Sequence, residues 1–132
     1  MKVWVNGSFD VLHIGHVRLL EYASKLGSVI VGVDTDYRIK EKKGNDRPFN
    51  SLDERVEFLL SIKYVDKITV FGSDEELENK IKIYNPDYMV IGDDYKDKHI
   101  IGSQYIKEII YFDRIKEKST TTILNYGNNS NR

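Results

Sequence analysis

The stretch NGSFDVLHIGH, residues 6–16, decides the fold of this chain. An apolar run, Val3–Val5, precedes it and is typical of a buried strand. An amphipathic run, Val17–Leu26, follows it and predicts a helix that is closed by Gly27. A strand, a turn of small residues and a helix N-terminus form an anion site, because backbone N–H groups and the positive end of the helix dipole converge there. The stretch therefore predicts a phosphate-binding unit.

Two histidines lie at the mouth of this predicted site. His13 and His16 are three residues apart, with Gly15 between them, so one helical turn sets them on one face. Taken singly, these residues have ordinary structural explanations, since a Gly-Ser turn is usually only a turn and a lone histidine is more often structural. As a constellation, two imidazoles at the phosphate-binding end of a strand–helix unit indicate chemistry on a phosphate.

The composition is that of one globular domain. The chain has 132 residues, of which 40% are apolar and 31% are charged, and this length can bury one core. A net charge of −1 argues against a general nucleic-acid or membrane-surface binder, which needs a basic field. The absence of cysteine excludes disulfides, thiolate metal sites and thiol nucleophiles. With no charged-then-apolar leader and no apolar run near ~18 residues, we expect a cytoplasmic protein without a membrane partner.

Strands and helices alternate along the chain, which predicts a single Rossmann-like α/β domain with a five-stranded parallel sheet flanked by helices on both faces. The predicted strands are Val3–Val5, Val29–Val33, Lys67–Phe71, Tyr88–Ile91 and Ile109–Phe112. The later predicted helices are one capped by Ser51 that runs to Ile62, Glu75–Tyr84, a short helix from Ser103, and Thr121–Tyr126. Residues 37–50 are predicted to form a long cationic loop that contains at most a helical turn, and residues 1–126 are predicted to form the domain, with a polar tail at 127–132.

Charged residues stand where such a sheet binds ligands. Arg55 lies in the first turn of the helix capped by Ser51, where a cation is unfavourable beside the helix dipole, so it reaches either an anion or a surface ion-pair partner. Asp93 and Asp94 follow the fourth predicted strand. Open α/β sheets bind ligands at the carboxyl ends of their strands, so these two acids are candidate ligand contacts.

The motif Gly-x-Phe-Asp-x-x-His-x-Gly-His of residues 7–16 resembles the signature of the cytidylyltransferase-like nucleotidyltransferases. Within that superfamily, KGNDRP (43–48) is similar to the enzymes that adenylylate a heptose 1-phosphate. In contrast, Gly92-Asp93-Asp94 and the spacing of Arg114 before Ser119-Thr120 are similar to glycerol-3-phosphate cytidylyltransferase. The resemblance implies transfer of a nucleotidyl group from CTP or ATP to a sugar or polyol phosphate, of the heptose 1-phosphate or glycerol 3-phosphate type, with release of pyrophosphate.

The resemblance also implies roles for individual residues. The expected catalytic residues are His13, His16, Lys43 and Arg55. The expected nucleotide- and phosphate-binding residues are Gly7, Ser8, Phe9, Asp10, Gly15, Asp93, Asp94, Arg114, Ser119 and Thr120, with Asp10 structuring the turn rather than acting as a base. The expected acceptor-binding residues are Lys42 and Arg47, and Lys42 is also the alternative to Lys43. Mg²⁺ is expected to arrive with the triphosphate, so no protein metal ligand is assigned.

Other functions are compatible with parts of this pattern. A non-catalytic nucleotide sensor on the same fold would need only some of these residues. Class I aminoacyl-tRNA synthetases share the His-x-Gly-His motif, but the chain has no room for their tRNA-binding modules. An assembly subunit could use the tyrosines as an interface, and a homodimer is expected because relatives are commonly dimers.

Overall fold

The computed structural model describes residues 1–92 and 98–112. Its strands are β1 (Lys2–Gly7), β2 (Ser28–Asp34), β3 (Lys67–Phe71), β4 (Tyr88–Gly92) and β5 (Glu108–Phe112). Within these residues the strands form one five-stranded sheet, all parallel, in the order β3-β2-β1-β4-β5. The predicted five-stranded parallel sheet is confirmed.

The helices of the described chain are α1 (Ile14–Ser24), α2 (Asp36–Lys43), α3 (Leu52–Leu60) and α4 (Asp74–Tyr84), with a 3₁₀ turn at Ser103–Tyr105. The first backbone N–H groups of a helix have no partner within it, so a side-chain acceptor at the N-cap favours a start at that point. Each of these α-helices has such a cap, and the caps are His13, Thr35, Ser51 and Ser73. The capping box that the sequence predicts at Ser51 is confirmed.

The sheet is covered on both faces, because alternate residues of each strand point to opposite sides. On one face, Val3, Val5 and the odd-numbered valines of β2 pack with Leu20 of α1 and Leu59 of α3. On the other face, Trp4, Ile30 and Met89 pack with Leu77 and Ile81 of α4. The prediction of helices on both faces is therefore confirmed.

The strand order reverses next to β1. From β1 the chain moves outward to β2 and β3, and it then returns to β4 on the other side of β1. In open parallel sheets, ligands bind in the crevice beyond the carboxyl ends of the strands at such a reversal. The fold therefore predicts a ligand site at the residues that follow β1 and β4.

The first helix differs from its predicted bounds, since α1 begins at Ile14 rather than Val17 and ends at Ser24. The early start follows from the cap at His13, whose side chain accepts a hydrogen bond from the backbone of Gly15. Gly27 does not close the helix by a left-handed turn; the C-cap is Lys25, in the right-handed region. A glycine is needed at 27 because an added Cβ would lie 2.4 Å from the carbonyl oxygen of Met1.

The loop predicted over residues 37–50, with at most a helical turn in it, is only partly correct, since Asp36–Lys43 forms the eight-residue helix α2. Thr35 caps this helix, and Gly44 ends it at a φ of 106°, a conformation that favours glycine. Asp36 at the start and the lysines of the last turn complement the helix dipole. The helix carries one buried apolar side chain, Ile39, which explains why hydrophobic periodicity did not indicate it.

Several predictions fall outside the described residues. They concern Asp93, Asp94, Arg114, Ser119 and Thr120, the helix at 121–126, the domain limit at 126 and the tail at 127–132. These stay predictions. Among the residues that the structure does describe, no helix has both the length and the apolar character needed to cross a membrane.

Candidate active site

The turn between β1 and α1 has an unusual backbone. Phe9 and Val11 have φ angles of 52° and 55°, a left-handed conformation that is uncommon for residues other than glycine and most costly for Val11, which is branched at Cβ. The backbone N–H of Val11 donates to the side-chain oxygen of Asn50 at 3.2 Å. Contacts with residues 47–50 therefore hold the turn in a conformation that its own residues do not favour.

Asp10 is the main anchor of this turn. Its buried carboxylate accepts hydrogen bonds from the backbone N–H groups of Phe49 and Asn50 at 2.9 and 2.8 Å, and from Nε of Arg47 at 3.0 Å. Burial alone would raise the pKa of Asp10, but the two backbone N–H groups and the Arg47 guanidinium outweigh it and lower the pKa. A buried carboxylate with these partners structures the turn and is a poor general base.

The two histidines meet at the start of α1. The backbone N–H of Gly15 donates to Nδ1 of His13 at 3.0 Å, and the backbone N–H of His13 donates to Nδ1 of His16 at 3.1 Å. The ring centroids are 4.1 Å apart. Because both Nδ1 atoms accept, the neutral rings carry their proton on Nε2, and each can donate from that atom. His16 lines the cleft described below, and His13 is exposed beside it.

Two lysines at the end of α2, Lys42 and Lys43, reach the cleft that His16 lines. Nζ of Lys43 donates to the hydroxyl of Ser8 at 3.2 Å, which connects α2 to the turn after β1. Nζ of Lys42 lies 3.9 Å from the carboxylate of Asp74, at the start of α4. Both lysines line the cleft, as the predicted roles require.

Arg55 does not present its charge to the cleft. Its side chain is fully buried, and it donates to the carbonyl oxygens of Ser8 and Asp34, both at 2.7 Å. Further bonds go to the carbonyl of Asn50 at 3.0 Å and to the carboxylate of Asp36 at 2.7 Å. Of the two kinds of partner that the sequence allowed, an anion or an ion-pair partner of the chain, the structure shows the second, the half-exposed carboxylate of Asp36. In this arrangement Arg55 positions the turn, and it is not among the residues that line the cleft.

Arg47 also departs from its predicted place. Its guanidinium pairs with Asp10 and lies over the ring of Phe49, 4.7 Å from the ring centroid. It is absent from the lining of the cleft described here. In this structure Asp10 and Phe49 hold the cation, and the acceptor contact of Arg47 stays a prediction.

A cleft of about 480 Å³ opens at the carboxyl ends of β1 and β4, where the fold predicts a ligand. It is bounded by apolar side chains from both faces of the sheet and by a small number of polar groups. The polar and charged side chains among its described lining residues are Asn6, Ser8, His16, Asp34, Arg38, Lys42, Lys43 and His99. Gly7 and Phe9, which were predicted to bind the nucleotide, also line the cleft. Gly15 takes part only through the hydrogen bond that its backbone N–H donates to His13.

Sequence reasoning did not assign four of these groups, Asn6, Asp34, Arg38 and His99. Arg38 is buried and pairs with Asp34 at 3.1 Å and with Asp74 at 2.6 Å. Burial raises the pKa of Asp34, although the positive charges of Arg38 and Lys42 oppose this. The i,i+4 spacing of Asp34 and Arg38 was the available signal. His99 follows a run of charged residues in the sequence, and no local pattern marks it.

Comparisons with known proteins agree with this geometry. A family described as cytidylyltransferase-like matches residues 4–128. The bifunctional protein HldE of Nitratiruptor sp. is 46% identical over 92% of this chain, and that of Campylobacter fetus is 40% identical over 93%. The chain spans about a quarter of the length of these relatives, 26% and 27% respectively.

Solved structures show the same fold. The lipopolysaccharide core biosynthesis protein from Thermoplasma volcanium superposes with a TM-score of 0.70 at 24% identity, over 86% of this chain and 97% of that one. A protein of unknown function from Archaeoglobus fulgidus has a TM-score of 0.65 at 22% identity, over 86% of this chain and 90% of the other. From the family match and the relatives, this chain belongs to the cytidylyltransferase-like family, a family of nucleotidyltransferases.

Proposed function

We propose that the chain condenses a nucleoside triphosphate, CTP or ATP, with a sugar or polyol phosphate to give an activated nucleoside diphosphate product and pyrophosphate. The observation that carries this proposal is the cleft at the strand-order reversal, where His16 and Lys43 meet the turn that leads into α1. A helix N-terminus beside imidazole and ammonium groups suits a polyphosphate. Family membership supports the same class of reaction.

The proposed chemistry is an in-line displacement. An oxygen of the acceptor phosphate attacks the α-phosphorus, a new P–O bond forms, and the bond from the α-phosphorus to the bridging oxygen breaks. The electron pair leaves with pyrophosphate. The attacking oxygen is already anionic, so the reaction needs neither a general base nor a covalent enzyme intermediate. Catalysis then depends on alignment and on stabilising the charge of the transition state.

The described residues supply these needs in distinct ways. Backbone N–H groups of Gly7–Phe9 would hold the α-phosphate, and Nε2 of His16 would donate to a phosphate oxygen. Lys43, next to Ser8, would neutralise triphosphate charge, and Lys42 would face the acceptor. His13 would support His16 through the contact between their rings. Asp10 and Arg55 would maintain the turn, since their polar atoms are occupied by the chain.

Mg²⁺ would accompany the triphosphate rather than occupy a protein cage. In residues 1–92 and 98–112, no cluster of three or more His, Asp or Glu side chains is placed to hold a metal. Asp34 is the carboxylate of the described cleft lining, and it is already paired with Arg38. A cleft with so few carboxylates suits an ion that is held mainly by phosphate oxygens and water. The bound ion would lower the negative charge of the triphosphate that the acceptor must approach.

Further parts of the proposal concern residues outside the described ranges. Asp93 or Asp94 would contact the ribose or the base, and Arg114 with Ser119 and Thr120 would hold the β- and γ-phosphates. A homodimer is also proposed.

The decisive experiment measures pyrophosphate release with each of the four nucleoside triphosphates, crossed with heptose, hexose and glycerol phosphates. We expect release with CTP or ATP and one class of acceptor. Triphosphate binding without release across the whole panel would instead favour a nucleotide sensor and would overturn the proposed reaction.

A further inference from the structure

We infer that His99 contacts the phosphorylated acceptor from the wall of the cleft opposite His16 and helps to select it, an inference that rests on the proposed function.

The cleft has two walls that belong to opposite faces of the sheet. Phe9 and Leu19 belong to the core that α1 covers, and they lie beside His16 in what we call the α1 wall. Leu77 belongs to the core that α4 covers, and Ile100 and Ile101 pack against that core. Together with His99 they form the α4 wall. The imidazoles of His16 and His99 therefore border one cavity from two sides.

The chain is held firmly just after His99. Ile100 and Ile101 are partly buried against the α4 core, and the backbone N–H of Ser103 donates to the carbonyl of Ile100 at 3.2 Å. Gly102 adopts a φ of 83°, and an added Cβ there would lie 2.5 Å from Cδ1 of Ile81. These contacts hold the backbone close to α4, so His99 is presented at the mouth of the cleft by an anchored segment.

The His99 imidazole has no evident task in holding the fold. It is exposed, and within the described parts of the chain no hydrogen bond or ion pair engages it. A neutral imidazole offers one donor and one acceptor, which suits a hydroxyl group or a phosphate oxygen. A structural role would require a partner, and residues 1–92 and 98–112 provide none for this side chain.

The position on the α4 wall favours the acceptor over the triphosphate. The triphosphate is proposed to lie at the α1 wall, against Gly7–Phe9 and His16. In-line displacement requires the acceptor to approach from the side away from the leaving pyrophosphate. At the α4 wall, Arg38 is engaged by Asp34 and Asp74, whereas Lys42 is half exposed and only 3.9 Å from Asp74. Among the described lining residues, Lys42 and His99 are thus the donors on that side that can meet a phosphorylated sugar or polyol.

The test compares His99→Ala, His99→Gln and Gln104→Ala with the unaltered chain. Gln104 is the matched control, because it lies in the same segment but donates to Glu78 at 2.7 Å and does not line the cleft. For His99→Ala we expect the KM of the acceptor to rise about tenfold, which equals about 1.4 kcal/mol, while the KM of the triphosphate stays within about twofold. His99→Gln keeps a donor and should recover part of the loss. Thermal unfolding should match in all four proteins.

A second measurement separates this inference from the proposed reaction. The same acceptor phosphates are titrated calorimetrically in the presence of an α,β-methylene triphosphate analogue, which reports binding without turnover. If, among the variants, only His99→Ala binds the acceptor more weakly, the inference is supported, even where no pyrophosphate is released. The absence of pyrophosphate release overturns only the proposed reaction. Three results would each overturn the inference about His99. They are an unchanged acceptor KM and affinity in His99→Ala, a selective rise in the KM of the triphosphate, and no acceptor binding to the unaltered chain.

Discussion

Replacing Arg55 with methionine removes a buried guanidinium that joins three backbone segments. Its hydrogen bonds reach the turn after β1 through Ser8, the end of β2 through Asp34, and the approach to α3 through Asn50. Its ion pair with Asp36 adds the first residue of α2. Methionine fills much of the volume but offers no donor, so the three carbonyls lose their partner.

The free energy of unfolding that Arg55→Met is expected to lose is large relative to the stability of the domain. Leaving a buried hydrogen-bond acceptor without its partner costs about 1–3 kcal/mol, and three carbonyls lose a charge-assisted bond here, whereas the Asp36 side chain is 43% exposed and stays partly hydrated. A domain of this size is stable by roughly 5–15 kcal/mol. For Arg55→Met we therefore expect a loss of about 3–5 kcal/mol, or a fall in Tm of roughly 10–20 °C. Arg55→Lys keeps the charge but not the planar fork, so we expect a loss of about 1–3 kcal/mol.

Urea unfolding followed by far-ultraviolet circular dichroism measures these losses. Arg18→Met is the matched control, because Arg18 is 42% exposed and forms a loose surface pair with Glu21 at 3.7 Å, which is worth about 0–1 kcal/mol. If Arg55→Met unfolded at the same urea concentration as the unaltered chain and lost only pyrophosphate release, the positioning role would be refuted. Arg55 would then contact substrate, as the sequence alone suggested.

Two further perturbations test the core and the turn. Gly32→Ala places a Cβ 2.6 Å from the Trp4 ring, so we expect a loss of about 1–3 kcal/mol in urea unfolding; an unchanged midpoint would contradict the packing described here. The pKa of Asp10 is lowered in the folded state, so its contribution is present above its ordinary value of 3.8 and is lost as the pH falls below that value. Asp10→Asn should lower stability at pH 7 by about 1–3 kcal/mol and flatten the stability profile below pH ~4; a parallel profile in the variant would contradict this.

The sheet was predictable because burial on both faces leaves a plain signature. Val29–Val33 is a continuous apolar run, which is typical of a central parallel strand, and β2 extends it by one residue at each end. The N-cap at Ser51 was equally clear, since the capping box depends on residues only three apart. Features set by local sequence or by uniform burial could thus be predicted.

The site was predictable only in part, because its geometry depends on long-range contacts. The ring contact confirms the predicted proximity of His13 and His16, although it arises from the capping box, since His13 is the N-cap of α1 and not part of the helix. The burial of Arg55 depends on Ser8 and Asp34, which are 47 and 21 residues away, and no local pattern reports such partners. His99 reaches the cleft only because β4 lies beside β1, a neighbour relation that the chain order does not reveal.

The central claim is that His16 stabilises phosphate charge in the cleft, and the most direct test is pyrophosphate release by His16→Ala. With the active substrate pair, we expect kcat to fall by about 10²-fold or more, the scale of losing one transition-state donor. The loss of its helix-capping bond should cost only about 1 kcal/mol in urea unfolding. Near-normal pyrophosphate release by the folded variant would contradict the account.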